Sequence, residues 1–415
     1  MRILVYGLNF APELTGIGKY TGEMCEWLAK HGHDMRVVTA PPYYPAWQIA
    51  AGYQGIGFRQ ETWQGIPIVR CPLWVPHRPN GWKRILHLTS FAVSSLAVVI
   101  GQAWRWRPDL IWVVAPAFFC LPGACLAGSL TKTKTWAHFQ DLEMDAAARL
   151  GIAGTQVFAP WERWLLRQFD RVSTISPAMA ERLRAKGVEA DRLVDFPNWI
   201  DVEQIFPMDN DDGLREELGI PTSSRVILYS GNMGKKQGLE TVIEAAYILK
   251  RQENLLFLLC GDGPTRPELE RKGHDLGLTH VRFIPLQPPT RLNALLNLAT
   301  LHLLPQRADM SEIVLPSKLA GMLACGGAVI ATAEPQTALG KMVVAAGGSL
   351  TPPGDSQALA DQILFLLEHP QHRQTMQQKA REYALAHLAQ EAILQGFERQ
   401  ISDWLTPQPK DPHVL

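Results

Sequence analysis

The sequence predicts an α/β protein of two doubly wound, Rossmann-like domains facing each other across a cleft. Three observations predict it. Short apolar runs alternate with helical patterns through the first half, and the opening plan of strand, glycine turn and helix (MRILVYG) restarts at RVILYSG, 225–231. Between the two series lies FPMDNDDGLREELGIPTSS, polar and rich in Pro and Gly, a composition suited to a linker. At 415 residues the chain is long for one core and comfortable for two.

In the first half, RILVYG (2–7), MRVVTA (35–40), IPIVRC (66–71), DLIWVV (109–114), KTWAHF (134–139) and RVSTIS (171–176) read as strands. TGEMCEWLAKHGH (21–33) reads as a helix, with Met24, Trp27 and Leu28 on one face. In the second half the strands are RVILYSG (225–231), LLFLLCG (255–261), VRFIPL (281–286), LHLLP (301–305) and AVIAT (328–332). The expected division is 1–205 for the first domain and 222–370 for the second, with 371–415 a helical region packing back towards the first. Ligands of such sheets bind outside the carboxyl ends of the strands.

The bulk numbers exclude several classes. Hydrophobic content of 47% with 19% charged residues describes a folded globular chain, and forty basic against forty acidic residues give no footprint for nucleic acid. Six scattered cysteines without a CxxC pair argue against a zinc site or a disulfide framework and for a reducing cytosol. Met1 and Arg2 lead directly into a strand, so no signal peptide is expected. The segment ILHLTSFAVSSLAVVIG, 85–101, has no Asp, Glu, Lys or Arg and is flanked by Trp82, Lys83, Arg84 and by Trp104 to Arg107. Three readings stand for it: a membrane span, a buried core helix, and a helix touching a bilayer surface.

Glycine-containing loops follow the strands where ligands of open α/β sheets sit. In NFAPELTGIGKYTGE (9–23), Gly16 and Gly18 allow close backbone approach, with a helix opening near Tyr20. In YSGNMGKKQGLE (229–240), Gly231 and Gly234 form a turn, Lys235 and Lys236 follow, and Gly238 opens a helix. Paired lysines at such a turn suit a diphosphate, or are a solvated basic loop. LCGDGP (259–264) adds a tight turn whose Gly261 and Asp262 edge a nucleotide base. VLPSKLAGMLACGGAVIAT (314–332) reads as turn, short helix and buried strand, with Leu315, Pro316 and Ser317 leading into Lys318. A cation in a first turn opposes the helix dipole. Either an anion sits there, shared with free backbone N–H groups, or Lys318 bends into water.

SGNMGKKQGLETVIEAA, the CGDGP turn, FPNWID (196–201) and LPSKLAGMLACGGAVIAT together resemble the retaining glycosyltransferases of family 4, with a GT-B fold. The opening MRILVYGLNFAPELTGIGKYTGEM is similar to the start of the same family, so the resemblance covers nearly the whole chain. FAPELTGIGKYTGEM, TAPPYYPAW and LPSK look closest to the fucosyltransferases of bacterial colanic acid biosynthesis. That resemblance implies a GDP-fucose donor and a lipid-linked oligosaccharide acceptor; with lysines in place of Mg²⁺ as counter-charge, no metal and no cofactor beyond the nucleotide sugar is expected. The cysteine usage and the direct start on a strand place the expected enzyme in the cytoplasm, and the Trp and Arg flanks of 85–101 allow peripheral contact with the inner membrane. A transferase of N-acetyl-fucosamine or another sugar in O-antigen or capsule synthesis is the nearest alternative. A sugar-nucleotide epimerase and a non-catalytic nucleotide-sugar-binding protein are the others.

The family's paired glutamates, seven residues apart, are displaced here. The second position is Gly321, and the first falls at Ile313, beside Glu312. The resemblance makes Glu312 the candidate to reach the sugar. The family's Arg and Lys after the second-domain glycines correspond to Asn232 and Gln237, leaving Lys236 as the displaced charge. HFQDLEMD (138–145) lies where relatives carry a His-Asp pair, so Asp141 is the catalytic-side candidate, or caps the helix that follows. Glu13 is the candidate to orient the acceptor hydroxyl, and Asn198 of FPNWID is assigned to the donor. Transfer needs a stabilised departing diphosphate, for which Lys236, Lys318, Ser317 and the Gly16–Gly18 loop are the parts. Asp209, Asn210 and Asp211 mimic a metal-binding DxD but fall in the linker and read as a solvated acidic run.

Overall fold

The computed structural model describes residues 1–13, 16–54, 57–77, 81–115, 118–142, 155–208, 213–307 and 317–406. Contacts divide the chain into two units, Met1–Asn198 with Leu394–Leu415, and Trp199–Ile393. The division falls earlier than the polar linker, and it cuts the C-terminal helical region in two. Phe196 stacks on Phe397 at 4.2 Å in the first unit, whereas Ile200 exchanges backbone hydrogen bonds with Leu388 and Gln390 in the second.

Unit 1 is a twisted sheet in the order β3-β4-β2-β1-β5-β6-β7-β8. Its strands are β1 (Arg2–Gly7), β2 (Asp34–Thr39), β3 (Arg59–Trp63), β4 (Ile66–Arg70), β5 (Leu110–Ala115), β6 (Lys134–Phe139), β7 (Arg171–Thr174) and β8 (Leu193–Asp195). All pairings are parallel except β3 with β4. β5 is buried at every position, as a central strand covered on both faces must be. Its helices are α1 (Gly16–Lys30), α2 (Gly81–Trp106), α3 (Leu121–Thr131), α4 (Thr155–Leu166) and α5 (Pro177–Ala185). One sheet face, with Tyr6, Ile111 and Val113, packs on α2 and α3. On the other, Trp112 and Trp136 pack on Phe397 at 4.8 and 5.4 Å.

Unit 2 is an all-parallel sheet in the order β11-β10-β9-β12-β13-β14. Its strands are β9 (Arg225–Ser230), β10 (Leu255–Cys260), β11 (Val281–Ile284), β12 (Leu301–Leu304), β13 (Val329–Thr332) and β14 (Ser349–Thr351). Helices α6 (Leu214–Glu217), α7 (Glu240–Ile248), α8 (Arg266–Asp275), α9 (Leu292–Asn297), α10 (Lys318–Ala324), α11 (Ala338–Ala345), α12 (Ser356–Glu368) and α13 (Pro370–His387) surround it. The last helix, α14 (Gln390–Leu405), starts in this unit and enters unit 1 from Leu394 onward.

In both sheets the strand order reverses beside the first strand of the series: at β1, between β2 and β5, and at β9, between β10 and β12. Such reversals splay the connections apart and leave a crevice at the strands' carboxyl ends. Two expectations about helix starts are corrected. α1 begins at Gly16 rather than near Tyr20, so Gly16 and Gly18 belong to its first turn. Gly238, at φ 59°, ends the short 3-10 turn Lys235–Gln237, and α7 opens two residues later at Glu240.

A candidate donor site in unit 2 and a polar cluster in unit 1

At the reversal point of unit 2 the loops leaving β9 and β10 are in backbone contact. Gly231 N donates to Cys260 O at 2.9 Å, and Met233 N donates to Asp262 O at 2.8 Å. Thr265 donates to Met233 O from both its backbone N (3.0 Å) and its hydroxyl (2.7 Å). The approach leaves no room for side chains. A Cβ on Gly261 would overlap the Gly231 carbonyl oxygen, and one on Gly263 the Met233 carbonyl. Gly261 and Gly263 also hold φ of 148° and 155°, which other residues rarely adopt.

Lys318 reaches this crossing from the first position of α10. Its Nζ lies 4.1 Å from the centre of the Tyr229 ring, and its aliphatic stem runs along Gly231, where an added Cβ would meet Cδ at 3.4 Å. The Nζ is buried and has no hydrogen-bond partner among the described residues. Burial pulls its pKa from 10.5 down to about 7. The alternative in which Lys318 bends into water is therefore corrected. The side chain folds inward, because Gly231 and the Tyr229 ring offer an apolar channel for its stem. The channel ends in an amine that no described residue pairs.

The remaining donor candidates take up different places. Asn232 is exposed on the same loop, and its carbonyl accepts from the Tyr229 hydroxyl. Asp262 is exposed at the tip of the β10 loop, with Oδ1 accepting from Gly263 N at 2.8 Å. Lys236 is exposed, and its carbonyl accepts from Arg307 N at 3.1 Å, which brings the exposed Arg307 beside the loop. Ser317 is exposed and makes no cap hydrogen bond to α10. Glu312, Leu315 and the 209–211 run lie outside the described residues. Gly321 is buried in α10, facing Leu296.

In unit 1, Glu13 is engaged on both oxygens. Oε1 accepts from the backbone N of Tyr43 and of Tyr44, each at 3.0 Å, and Oε2 accepts from Asn9 at 2.9 Å. It is 6% exposed, and burial raises its pKa. A Cβ on Gly18 would come within 2.7 Å of Oε2, so Glu13 itself fills the space beside the first turn of α1 where a phosphate was expected. Glu13 thus ties the loop after β1 to the loop after β2. Arg70, which the sequence reading missed, does the same work from β4. It is 1% exposed, donates to Ala11 O (2.6 Å) and Ala40 O (2.8 Å), and pairs with Glu61 at 2.6 Å. A lone charge in the apolar run IPIVRC was the available signal.

Asp141 follows β6 and is half-buried; the helix it was expected to cap lies outside the described residues. Asn198, assigned to the donor, lies in unit 1, where it pairs with Gln140 through two hydrogen bonds of 2.9 and 3.0 Å. Gln140 Nε2 also donates to His138 Nε2 at 3.0 Å, which requires His138 Nδ1 to carry the proton it gives Ser173 Oγ at 2.9 Å. His138 is buried against Trp112, and burial holds its pKa down to about 3, so the ring is neutral.

Comparison with known proteins agrees with this architecture. Residues 15–199 match the model for a glycosyl transferase 4-like domain, and residues 210–383 that for glycosyl transferases group 1. The chain is 44% identical over 413 residues to "Putative colanic acid biosynthesis glycosyl transferase WcaI" of Escherichia coli (strain K12), covering 97% of this chain and 100% of that one. The chain belongs to the glycosyltransferases. This glycosyltransferase is also 21% identical over 402 residues to the N-acetyl-alpha-D-glucosaminyl L-malate synthase of Bacillus anthracis, covering 95% of this chain and 96% of that one. Its fold is GT-B. The sucrose-phosphate synthase of Thermosynechococcus elongatus superposes with a TM-score of 0.75 at 18% identity, over 97% of this chain and 98% of that one. HepE of Anabaena, in complex with UDP-glucose, superposes at 0.70 and 19% identity, over 97% and 100%.

Proposed function

We propose that this glycosyltransferase moves fucose from GDP-fucose to a lipid-linked oligosaccharide in colanic acid biosynthesis, on the cytoplasmic side of the membrane, with retention at the anomeric carbon. The observation that carries the donor site is the buried Lys318 Nζ, without a hydrogen-bond partner among the described residues, at the crossing of the Gly231 and Gly261 turns. Identity of 44% along the full length of the colanic acid relative supports the pathway. The donor sugar rests on the resemblance of FAPELTGIGKYTGEM and LPSK to fucosyltransferases.

Breaking the anomeric C–O bond leaves positive charge on the sugar and two negative charges on the departing diphosphate. Groups fixed before the reaction stabilise that charge without having to reorganise. Lys318 meets this need. In the free protein its ammonium is desolvated and costly, and a diphosphate beside Nζ removes the cost while fixing the proton. The backbone of Gly231 and Asn232, freed of side-chain bulk at the glycine, lets the diphosphate approach. Lys236 and Arg307 add positive charge at the rim. The residues present therefore supply counter-charge of their own, and we propose that the reaction runs without a divalent ion.

The test is a thermal-shift screen of GDP- and UDP-sugars followed by a transfer assay on a lipid-linked acceptor, with and without chelator. GDP-fucose at a hundred times its Kd stabilises the protein by about 2.7 kcal/mol through mass action. GDP release that depends on acceptor and survives chelation supports the proposal. Stabilisation by UDP-sugars alone overturns the donor assignment, and conversion of donor without acceptor would mark an epimerase.

A further inference from the structure

Helix α2 offers solvent a face that unit 1 does not use. Its inward face is committed to the core: Phe91, Val99 and Ala103 have no exposure, and the Ser95 hydroxyl is 2.7 Å from that of Tyr6. Its outward face is apolar. Trp82 is 63%, Val93 70% and Trp104 60% exposed, and Ile85, Leu86 and Leu96 lie among them. At about 100° per residue these positions fall in an arc of about 100°, and at 1.5 Å per residue the stripe is about 33 Å long. Leu126 and Leu130 of α3 widen it, since α3 packs on α2 where Gly123 meets Leu96.

We propose that the α2–α3 face lies flat on an anionic lipid bilayer. Charge selects this occupant. The helix GWKRILHLTSFAVSSLAVVIGQAWRW has no acidic residue, and its cations, Lys83 and Arg84 at one end and Arg105 at the other, flank the stripe beside the two tryptophans. Arg107 follows and is exposed, and Asp109, two residues on, is engaged by Arg2 N. Indole rings at the headgroup level, cations next to anionic phosphates and aliphatic groups between them are the chemistry of a helix in the plane of the interface. The helix is long and apolar enough to cross a bilayer, with a mean hydropathy of 1.6 over its most apolar 18 residues. Crossing would strip Phe91, Ser95 and Val99 from the core of unit 1, so the helix rests on the membrane with its inner face still packed. The sequence alternatives of a core helix and a surface helix each describe one side of it.

The test is flotation of the full chain with phosphatidylglycerol vesicles and with phosphatidylcholine vesicles. The parent protein floats with phosphatidylglycerol, less so in high salt, and weakly with phosphatidylcholine. Val93→Glu with Leu96→Glu lowers partitioning at least about tenfold while the unfolding midpoint and the nucleotide-induced shift in Tm stay the same. Trp82→Ser with Trp104→Ser is the second pair, giving the same loss should the first pair fail to fold. No flotation of the parent, or equal flotation of parent and variants, overturns the proposal. So does a parent dimer that the Val93→Glu, Leu96→Glu pair converts to monomer without any vesicle binding, which would make the face a contact between copies.

Discussion

Replacing Lys318 by Met keeps the stem over Tyr229 and Gly231 and removes the buried charge. In the native chain the amine titrates at about 7 rather than 10.5, and at 1.36 kcal/mol per pH unit that displacement corresponds to on the order of 5 kcal/mol. The sign follows from proton counting. Between pH 7 and 10.5 the unfolded chain holds a proton at this site that the folded chain has lost, so parent stability rises with pH across that window. Below pH 7 both states are protonated and the full cost of burial is present. Lys318→Met is therefore more stable than the parent at pH 6, by about 2 kcal/mol once the lost contact with the Tyr229 ring is allowed for. The gain shrinks towards zero near pH 10.5. The assay is equilibrium urea denaturation at several pH values, following the transition that nucleotide shifts. The same variant loses GDP affinity by more than about tenfold, because the anion no longer meets an ammonium. A Lys318→Met variant no more stable than the parent at pH 6, with GDP affinity unchanged, would refute the reasoning.

Further outcomes follow from the same geometry. GDP affinity falls by up to about tenfold per pH unit above pH 7, since binding must then bring a proton to Lys318, and isothermal titration in buffers of different ionisation enthalpy reads that uptake. Gly261→Ala forces the Gly231 and Gly261 turns apart; it destabilises unit 2 by about 2–4 kcal/mol and abolishes nucleotide-induced stabilisation in a thermal-shift assay. Glu13→Ala leaves the Tyr43 and Tyr44 amides and Asn9 without their acceptor and costs about 2–3 kcal/mol in thermal unfolding, while GDP binding stays within about twofold. His138 and His302 titrate at about 3 and 4 when folded, against 6.5 unfolded, so the unfolded chain takes up more protons in acid. Stability present above pH 6.5 is lost as the pH falls towards 4, and urea midpoints measured across that range check it.

The strands of both sheets were legible where they are central, because burial on both faces writes continuous apolar runs such as LIWVVA and LLFLLC. β3, RQETW, was not, since an antiparallel edge strand is half in water and its residues look like a loop. β8 and β14 are three residues each, too short for any period to show. The boundary was hidden for another reason. Phe196 and Trp199 are both buried and three residues apart, yet they fall in different units, so the change of unit has no polar signature. The glycine turns of the candidate donor site were readable from composition, and their positive φ explains why glycine is needed. What Lys318 does was beyond the sequence, because its burial depends on Tyr229 and Gly231, nearly ninety residues earlier in the chain. The surroundings of Glu13 were equally beyond the sequence. A loop carboxylate reads as available chemistry, and only the positions of the Tyr43 and Tyr44 amides reveal that it is already engaged.

The most direct measurement is an NMR titration of the Lys318 side chain in lysine-labelled protein, assigned with Lys318→Met, with and without GDP. A pKa near 7 in the free protein, displaced upward by two units or more when GDP binds, is the expected result. An amine that titrates near 10.5 and ignores GDP would mean that no diphosphate is held there.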